Sequence, residues 1–312
     1  MTTEWGRHGF TQADIPHQAG KTYAITGANS GIGFEAARLL GKAGAEIILL
    51  CRNPEKASRA ETKLREQASE GRYRTILIDL ADLKNVHDAA YTLRQHCDGL
   101  DGLINNAGLN TVKPQKTAQG YELTWGVNVL GGFALAALVS DLVEKPSGRF
   151  VWLSSNFHRF VSKNPFNVER PDQEHQGVAA YNVSKLANLM LSLELQRQLT
   201  TAGKTATSYA CHPGFAATNI VENGAGKMAA LMVKPFEALI AQPPEKGALP
   251  TVLCAAAAEA APGGYYGPKG FLHQNGPVGR ETPSSLARDQ QAAGQLWSLC
   301  SSQTETNWKI FR

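Results

Sequence analysis

Short runs of β-forming residues alternate with helix-periodic stretches, and this alternation restricts the fold more than any other feature. The strand candidates are Thr22–Thr26, Glu46–Leu50, Thr75–Asp79, Gly102–Asn105, Arg149–Ser154 and Thr207–Cys211. The helix candidates between them are Ile32–Ala43, Pro54–Ser69, Leu83–His96, an apolar segment around Leu123–Val143, and Ala179–Leu199. Continuous apolar strands joined by helices indicate a parallel sheet covered on both faces. We therefore predict an α/β fold with a doubly wound parallel sheet in three layers (α/β/α).

Two regions depart from this alternation. Residues 156–177 are polar, contain Pro165 and Pro171, and predict a long loop. Beyond Phe215 the chain is rich in Gly, Ala and Pro, with weak helices expected around Val233–Ile240 and Lys246–Ala260. No composition boundary divides the chain, so we predict one domain over residues 1–312 with a core at about 20–220. The loop 156–177 and the extension 215–312 are expected on the substrate side, because long irregular segments commonly carry binding sites.

Composition favours a soluble chain from a reducing compartment, which we expect to be the cytoplasm. Among 312 residues, 43% are hydrophobic, and the net charge of +4 is spread along the chain, which favours neither nucleic acid nor an anionic membrane. The five cysteines are scattered without a Cys-x-x-Cys motif, which predicts no disulfide framework. His212 has no companion ligand at metal-binding spacing, so no metal is assigned. The N-terminal residues lack a signal core, and we expect no transmembrane anchor.

A glycine-rich turn joins the first strand to the first helix. Its residues are Gly27, Ala28, Asn29, Ser30, Gly31, Ile32 and Gly33. Glycines permit a tight turn and let the backbone approach a pyrophosphate at the positive N-terminus of the helix. A simple strand–helix turn is the alternative, but the position in the first βαβ unit favours a Rossmann-like nucleotide site. Gly20-Lys21-Thr22 ends like a P-loop, but Ile15 stands where that motif requires glycine.

The residues after the second strand predict which nucleotide binds. An acidic residue there would hold a ribose 2′-hydroxyl and indicate NAD. The chain instead has Cys51, Arg52 and Asn53, and arginine suits a 2′-phosphate. We therefore predict NADP(H) in preference to NAD(H), with a solvated surface charge as the alternative role of Arg52.

Tyr181 and Lys185 lie four residues apart in a helix-like stretch, which places them on one helix face. A fixed positive charge favours the phenolate and would make Tyr181 a better acid–base group. Tyr265 and Lys269 have the same spacing, but Gly267 and Pro268 interrupt any helix there. Only the first pair is therefore a candidate proton-transfer site.

Together these motifs resemble the short-chain dehydrogenase/reductase family over residues 20–220. The matches, in order, are TGANSGIG (26–33), Asp79-Leu80, NNAG (105–108), Asn128, Ser154-Ser155, Tyr181-x-x-x-Lys185 and His212-Pro213-Gly214. Within the family, GANSGIG, CRN and the SKLAN run are similar to the branch of retinol dehydrogenases and protochlorophyllide reductase-like proteins. The resemblance implies an enzyme that acts on CH–OH or C=O groups with NAD(P).

The resemblance also implies roles for individual residues. Tyr181 would be the general acid or base, Lys185 would lower its pKa and hold the nicotinamide ribose, and Ser155 would polarise the carbonyl. Asn128 would help to hold a water that relays protons to Lys185. The implied cofactor contacts are Gly27, Asn29, Ser30, Gly31, Ile32, Gly33, Arg52, Asn53, Asp79, Leu80, Asn106, Ala107, Gly108, Tyr181, Lys185, Pro213, Gly214 and Thr218.

The predicted function is an NADP(H)-dependent oxidoreductase that interconverts an alcohol and a ketone or aldehyde. Phe157, His158 and Phe160 favour an apolar small-molecule substrate, although these side chains could equally pack the loop. A cofactor-binding scaffold or redox-sensing regulator without turnover is the alternative, and sugar-nucleotide epimerisation is a third, less favoured one. A homo-oligomer is compatible with the resemblance. The substrate, the physiological direction and the oligomeric state stay open at this point.

Overall fold

The computed structural model describes residues 5–111, 113–144, 148–214, 243–270, 273–308 and 310. Within them, eight strands form one sheet in the order β3-β2-β1-β4-β5-β6-β7-β8. The strands are β1 Thr22–Thr26, β2 Glu46–Cys51, β3 Arg72–Leu77, β4 Gly102–Asn105, β5 Arg149–Leu153, β6 Thr207–Cys211, β7 Tyr265–Pro268 and β8 Val278–Arg280. Strands β1 to β7 pair in parallel, and β8 pairs with β7 in antiparallel fashion.

Helices cover both faces of this sheet. They are α1 Gly31–Lys42, α2 Pro54–Gln67, α3 Leu83–His96, α4 (residues 123–138), α5 Ser140–Glu144, α6 Pro171–Glu174, α7 Gly177–Thr201, α8 Pro244–Ala256 and α9 Gln290–Thr304. Helix α4 has a π-helical middle, Gly126–Gly131, between α-helical ends. No helix in the described ranges combines the length and the apolar character needed to cross a bilayer.

Alternation along the central strands builds a core on each face. In β1, Ala24 packs into one cluster with side chains of α3, α4, α7 and α9. Its neighbours Tyr23 and Ile25 pack into the other, with side chains of α1, α2 and α8. Successive strand residues point to opposite faces, so a strand buried on both sides must be apolar throughout. The predicted three-layer, doubly wound α/β fold is confirmed.

The sheet order reverses between β1 and β4, which lie side by side although β2 and β3 intervene in sequence. Ligands of open α/β sheets bind outside the carboxyl ends of the strands at such a switch point. The glycine turn follows β1, and residues 105–108 begin at the end of β4. The topology therefore brings two of the predicted motifs to one crevice.

Element bounds differ from the prediction mainly at the sheet margins. The predicted strands 22–26, 102–105 and 207–211 and the predicted helix 83–96 match the structure, whereas β3 begins and ends earlier than Thr75–Asp79. Strand β3 lies at the edge of the sheet and exposes alternate residues. Only its second half therefore contains the apolar residues from which a strand was predicted. Helix α8 lies at Pro244–Ala256, close to the predicted Lys246–Ala260, while Val233–Ile240 lies outside the described residues.

Three elements late in the chain were missed: β7, β8 and α9. Tyr265 belongs to β7, which confirms that Tyr265 and Lys269 do not share a helix face. The short strand β8 is covered on its outer side by Phe10, whose backbone N–H donates to the carbonyl of Val278 at 2.9 Å. Phe10 is 1% exposed, so residues before β1 are packed against the last strand of the sheet.

Candidate active site

The glycine turn depends on residues without a side chain. Gly27 and Gly31 have φ values of 67° and 56°, in the left-handed region that favours glycine. A Cβ on Gly33 would lie 2.6 Å from the carbonyl oxygen of Gly27 and would also collide with the Asn106 amide. Helix α1 begins at Gly31, so its first backbone N–H groups face the crevice at the end of β1. This arrangement suits a phosphate group.

Thr26, the last residue of β1, ties the turn to the segment after β4. Its hydroxyl accepts hydrogen bonds from the backbone N–H groups of Asn106 at 3.0 Å and Ala107 at 2.9 Å. The Asn106 amide donates to the carbonyl of Thr26 at 2.8 Å. Sequence reasoning gave Thr26 no role beyond the motif. A hydroxyl residue at the end of a strand that precedes a glycine turn was the available signal.

The residues predicted around the adenosine half lie near the same edge. Arg52 is exposed directly after β2 and has no hydrogen bond or ion pair to any described residue. Asn53 caps α2, since its side-chain oxygen accepts from the Lys56 N–H at 2.8 Å. The Asp79 carboxylate accepts from the Ala81 N–H at 3.0 Å, and Leu80 is buried. Asn53 and Asp79 thus have local structural roles of their own.

Tyr181 and Lys185 share one face of α7, as their spacing predicts. The Lys185 ammonium nitrogen lies 5.6 Å from the centroid of the Tyr181 ring. It donates to the carbonyl of Leu153, the last residue of β5, at 3.0 Å. Both residues are almost fully buried, at 9% and 3% exposure. Helix α7 therefore holds a phenol and an amine against the carboxyl end of β5.

Burial controls the ionisation of both groups. It raises the pKa of Tyr181 to about 12, and a hydrogen bond with the Ser155 side chain offsets part of that rise. It lowers the pKa of Lys185 to about 8, because an ammonium loses its hydration there. The expected lowering of the Tyr181 pKa by Lys185 is therefore not met. Loss of hydration of the buried phenolate is the largest cause of the raised pKa, and the opposing contribution comes from Ser155.

Ser155 follows β5 and begins the 3₁₀ turn Asn156–Phe160. Its hydroxyl oxygen accepts from the Phe157 N–H at 3.3 Å, and its side chain partly offsets the raised pKa of Tyr181. The Phe157 ring meets the Tyr181 ring edge-on at 6.2 Å, and Phe160 is exposed. The His158 side chain does not face a substrate, contrary to what the sequence suggested, because it is fully buried beneath the turn.

Asn128 lies in the π-helical part of α4 and joins α4 to α7. Its side-chain oxygen accepts from the Leu109 N–H at 2.8 Å, and its amide donates to the Leu109 carbonyl and the Ser184 hydroxyl, each at 2.9 Å. Ser184 in turn donates to the carbonyl of Tyr181 at 2.7 Å. Sequence reasoning missed Ser184, although a serine within an apolar helix was the available signal.

Gly108 connects the two halves of the site. A Cβ on Gly108 would lie 3.1 Å from the Lys185 nitrogen and 3.5 Å from the Asn128 side-chain oxygen. Its neighbours Asn106 and Ala107 contact the glycine turn through Thr26. The backbone after β4 thus runs between the phosphate-type turn and the Tyr181–Lys185 pair.

Pro213 and Gly214 follow β6 at the same end of the sheet, whereas Thr218 lies outside the described residues. The Gly214 N–H donates to His212 Nδ1 at 3.2 Å. His212 is fully buried, and burial lowers its pKa to about 3, so it is a neutral structural residue. Across the described residues, no group of three or more His, Cys, Asp or Glu side chains could hold a metal ion.

Comparison with known proteins identifies the family of this chain. A family model described as short chain dehydrogenase matches residues 21–228, which include every motif that lines the crevice. The chain belongs to the short-chain dehydrogenase family.

Individual members of the family are similar over most of the chain. Retinol dehydrogenase 12 of Mus musculus is 32% identical over 302 residues, covering 96% of this chain and 90% of that one. An uncharacterized protein from Mycobacterium paratuberculosis is 32% identical, with a TM-score of 0.79 and coverage of 96% and 99%. A protein from Beutenbergia cavernae that is described as an NAD(P)-dependent gluconate 5-dehydrogenase, and whose structure holds NADP at low occupancy, is 25% identical, with a TM-score of 0.63 and coverage of 80% and 96%. The chain is thus a short-chain dehydrogenase of the retinol dehydrogenase-like branch, an enzyme class that acts on CH–OH and C=O groups.

Proposed function

We propose that the protein is an NADP(H)-dependent oxidoreductase that interconverts an alcohol and a ketone or aldehyde, with Tyr181 as general acid or base. The observation that carries this proposal is the convergence of Ser155, Tyr181 and Lys185 beside the glycine turn. The Ser155 side chain lowers the pKa of the Tyr181 phenol, and the Lys185 nitrogen lies 5.6 Å from the centroid of the Tyr181 ring. Gly108 places this group next to the backbone that supports the turn.

The residues present fit a nicotinamide dinucleotide. Gly33 has no room for a Cβ, and Gly27 and Gly31 have φ values that favour glycine, which suits close approach of a pyrophosphate. Asn29, Ser30, Ile32, Asn106, Ala107 and Gly108 would line the cofactor, Asp79 and Leu80 would flank its adenine, and Pro213 and Gly214 would lie at its nicotinamide end. When bound, the cofactor supplies or accepts the hydride.

Arg52 supports the choice of NADP over NAD. Its guanidinium is exposed beside the turn, without a partner among the described residues, and could pair with a 2′-phosphate. No acidic side chain stands at positions 51–53, where a 2′-hydroxyl would need one. The similar protein from Beutenbergia cavernae, described as NAD(P) dependent, holds NADP at low occupancy, which agrees with binding of NADP.

Side chains of this protein would supply the proton and stabilise the negative charge that develops on the substrate oxygen. A carbonyl that gains hydride develops negative charge on its oxygen and needs donors aimed at it. The Ser155 hydroxyl and the Tyr181 phenol would both donate to that oxygen. Since burial raises its pKa to about 12, Tyr181 carries its proton at neutral pH, and the more basic oxygen that forms during reduction would take that proton. Lys185 and Asn128 would hold the site in place and pass on the proton.

The mouth of the site favours an apolar substrate. Phe157 and Phe160 contact each other with ring centroids 5.7 Å apart, and Phe157 packs on Tyr181. Phe160 is 73% exposed and Val178, near the start of α7, is 59% exposed. Large exposed apolar side chains beside a reactive group are typical of a binding surface. The similarity to a retinol dehydrogenase agrees with a substrate of this type.

Replacement of Tyr181 by Phe tests the proposal. Loss of the proton donor should lower kcat by about 10²- to 10⁴-fold, while the affinity for NADPH stays within a few-fold. NADPH oxidation with a panel of apolar aldehydes and ketones gives the rates, and nucleotide fluorescence gives the affinity. Tyr91→Phe, on the exposed face of α3, is the matched control.

The same experiment separates the enzyme from its alternative. A cofactor-binding scaffold or regulator without turnover would bind NADPH and show no oxidation with any carbonyl, even in the unmodified protein. An unmodified protein that turns over, and a Y181F variant that turns over equally fast, would contradict the assigned mechanism.

A further inference from the structure

The turn after Ser155 is fastened to a part of the chain more than one hundred residues away. The Asn156 amide donates to the carbonyl of His273 at 2.7 Å, and the Arg159 guanidinium donates to the carbonyl of Thr282 at 2.6 Å. Both acceptors belong to the chain around β8, beyond the elements that form the glycine turn and the Tyr–Lys pair. The 3₁₀ turn is therefore held from outside as well as by its own backbone.

His158 is the most deeply buried member of this set of contacts. Its Nδ1 lies 2.7 Å from the carbonyl oxygen of Ser155, and its Nε2 lies 3.4 Å from the Ser284 N–H. A carbonyl oxygen can only accept, so Nδ1 carries the hydrogen, and Nε2 accepts from Ser284. Burial lowers the pKa of His158 to about 4, which agrees with a neutral ring. The ring also packs edge-on against Tyr265 at 5.6 Å.

The bond from His158 acts on the residue that carries the reactive hydroxyl. The Ser155 carbonyl also accepts the backbone N–H of His158 at 3.1 Å, so this one oxygen receives two donors. Together they fix the orientation of the peptide that follows Ser155. The Ser155 hydroxyl can turn only about its own side-chain bond, and it must reach both Tyr181 and the substrate oxygen.

We propose that His158 is a positioning residue for Ser155, holding the serine in its productive orientation by anchoring it to the segment at Ser284. The proposal rests on the proposed function, because it assigns Ser155 a part in turnover. His158 itself touches neither substrate nor cofactor. A displacement of about 1 Å in a reacting group can cost about 100-fold in rate, so such an anchor has kinetic consequences.

Two substitutions of similar size separate the two ring nitrogens. In His158→Asn the side-chain amide nitrogen takes the place of Nδ1 and keeps the bond to Ser155. In His158→Gln the amide reaches the place of Nε2, and the bond to Ser155 is lost. The exposed His87 on α3 offers the same pair of changes as a control, His87→Asn and His87→Gln.

The experiment measures kcat, KM and NADPH affinity for these variants, for Ser155→Ala, and for the double variant Ser155→Ala/His158→Gln. We expect H158Q to lower kcat by about 10-fold or more with little change in NADPH affinity, and H158N to stay within about 5-fold of the unmodified protein. In the S155A background, H158Q should add little, because its effect passes through Ser155.

The possible results distinguish a failure of the proposed role of Ser155 from a failure of the positioning role of His158. Unchanged turnover in S155A would contradict the proposed role of Ser155, whatever the His158 variants do. A slow S155A with an unimpaired H158Q, or with losses that multiply in the double variant, would overturn the positioning role alone. If H158Q does not fold, H158N decides: retained turnover supports the proposal, and a folded, NADPH-binding but slow H158N overturns it.

Discussion

The cofactor end and the substrate end of the crevice are built in different ways. At the cofactor end, Gly27, Gly33 and Thr26 act within a few residues of one another, and the main partner segment begins directly after the neighbouring strand β4. At the substrate end, the turn after Ser155 is held by contacts to His273, Thr282 and Ser284, far away in sequence. The first rests on the backbone conformation of its glycines and on one neighbouring strand end, and the second on contacts to a segment near the end of the sheet, one of them made by the buried His158, so the two should respond differently to substitution and pH.

Acid should weaken the substrate end most. Burial lowers the pKa of His158 to about 4 and that of His212 to about 3, whereas both would titrate near 6.5 in the unfolded chain. The unfolded chain then binds more protons than the native one, so stability is full above pH 6.5 and falls as the pH drops towards 4. His158 alone accounts for about 3 kcal/mol of this loss.

Urea unfolding between pH 7 and pH 4 measures this effect. Carboxylates also lose stability on acidification, so the comparison is between variants: His158→Asn should flatten the profile between pH 6.5 and 4, and His87→Asn should not. Superimposable profiles for H158N and the unmodified protein would mean that His158 is not held neutral in the fold.

The cofactor end should break on the addition of one methyl group. In Gly33→Ala the new Cβ would meet the Gly27 carbonyl and the Asn106 amide, so one of them must move. We expect a loss of stability of about 1–3 kcal/mol and weaker NADPH binding, with the tertiary structure at Ser155 retained. Thermal unfolding and nucleotide fluorescence measure the two effects.

Gly294→Ala is the matched control for this change. Gly294 lies in α9, where a Cβ would meet no atom within 4 Å. Alanine there should stabilise the protein by about 0.5–1 kcal/mol because of its higher helix propensity. Equal NADPH affinity in G33A and G294A would refute the close packing inferred for the turn.

The smallest expected effect is a change of coenzyme preference at Arg52. Replacement of Arg52 by Asp removes a partner for a 2′-phosphate and adds an acceptor for a 2′-hydroxyl, so the ratio of NADPH to NADH affinity should fall about 10-fold or more. The fold should be unaffected, because Arg52 is exposed. Arg59→Asp, on the exposed surface of α2, makes the same charge change and should leave the ratio unaltered.

The cofactor end is predicted better from the sequence than the substrate end, because local patterns indicate its strands and its turn. Strands 22–26 and 102–105 and the turn between 27 and 33 follow from local periodicity and glycine content, and the structure agrees with them. The Tyr181–Lys185 pair was identifiable because helix spacing alone places it on one face. In contrast, β7, β8 and the anchoring of His158 arise from pairings between distant segments, which leave no periodic signal in the chain.

The pKa values of Tyr181 and Lys185 also could not be predicted from the spacing of these residues in the sequence. The proximity of Lys185 to Tyr181 suggested a lowered phenol pKa, but the degree of burial decides the outcome, and burial is a property of the assembled fold. The role of Ser184 was likewise hidden, since only the packing of α4 against α7 brings it to Asn128. Residue identity suggested which groups react, but not the environment in which they do so.

The contact between Phe10 and β8 has a consequence for handling the protein. A strand at the margin of a sheet presents unpaired backbone groups that can recruit another chain into an intermolecular sheet. Here the Phe10 N–H occupies the outward-facing carbonyl of Val278, and its ring is fully packed. Residues that precede β1 therefore protect the edge of the sheet from pairing with another chain. A shortened chain that lacks them would expose β8, which lies next to the segment that contacts the turn after Ser155.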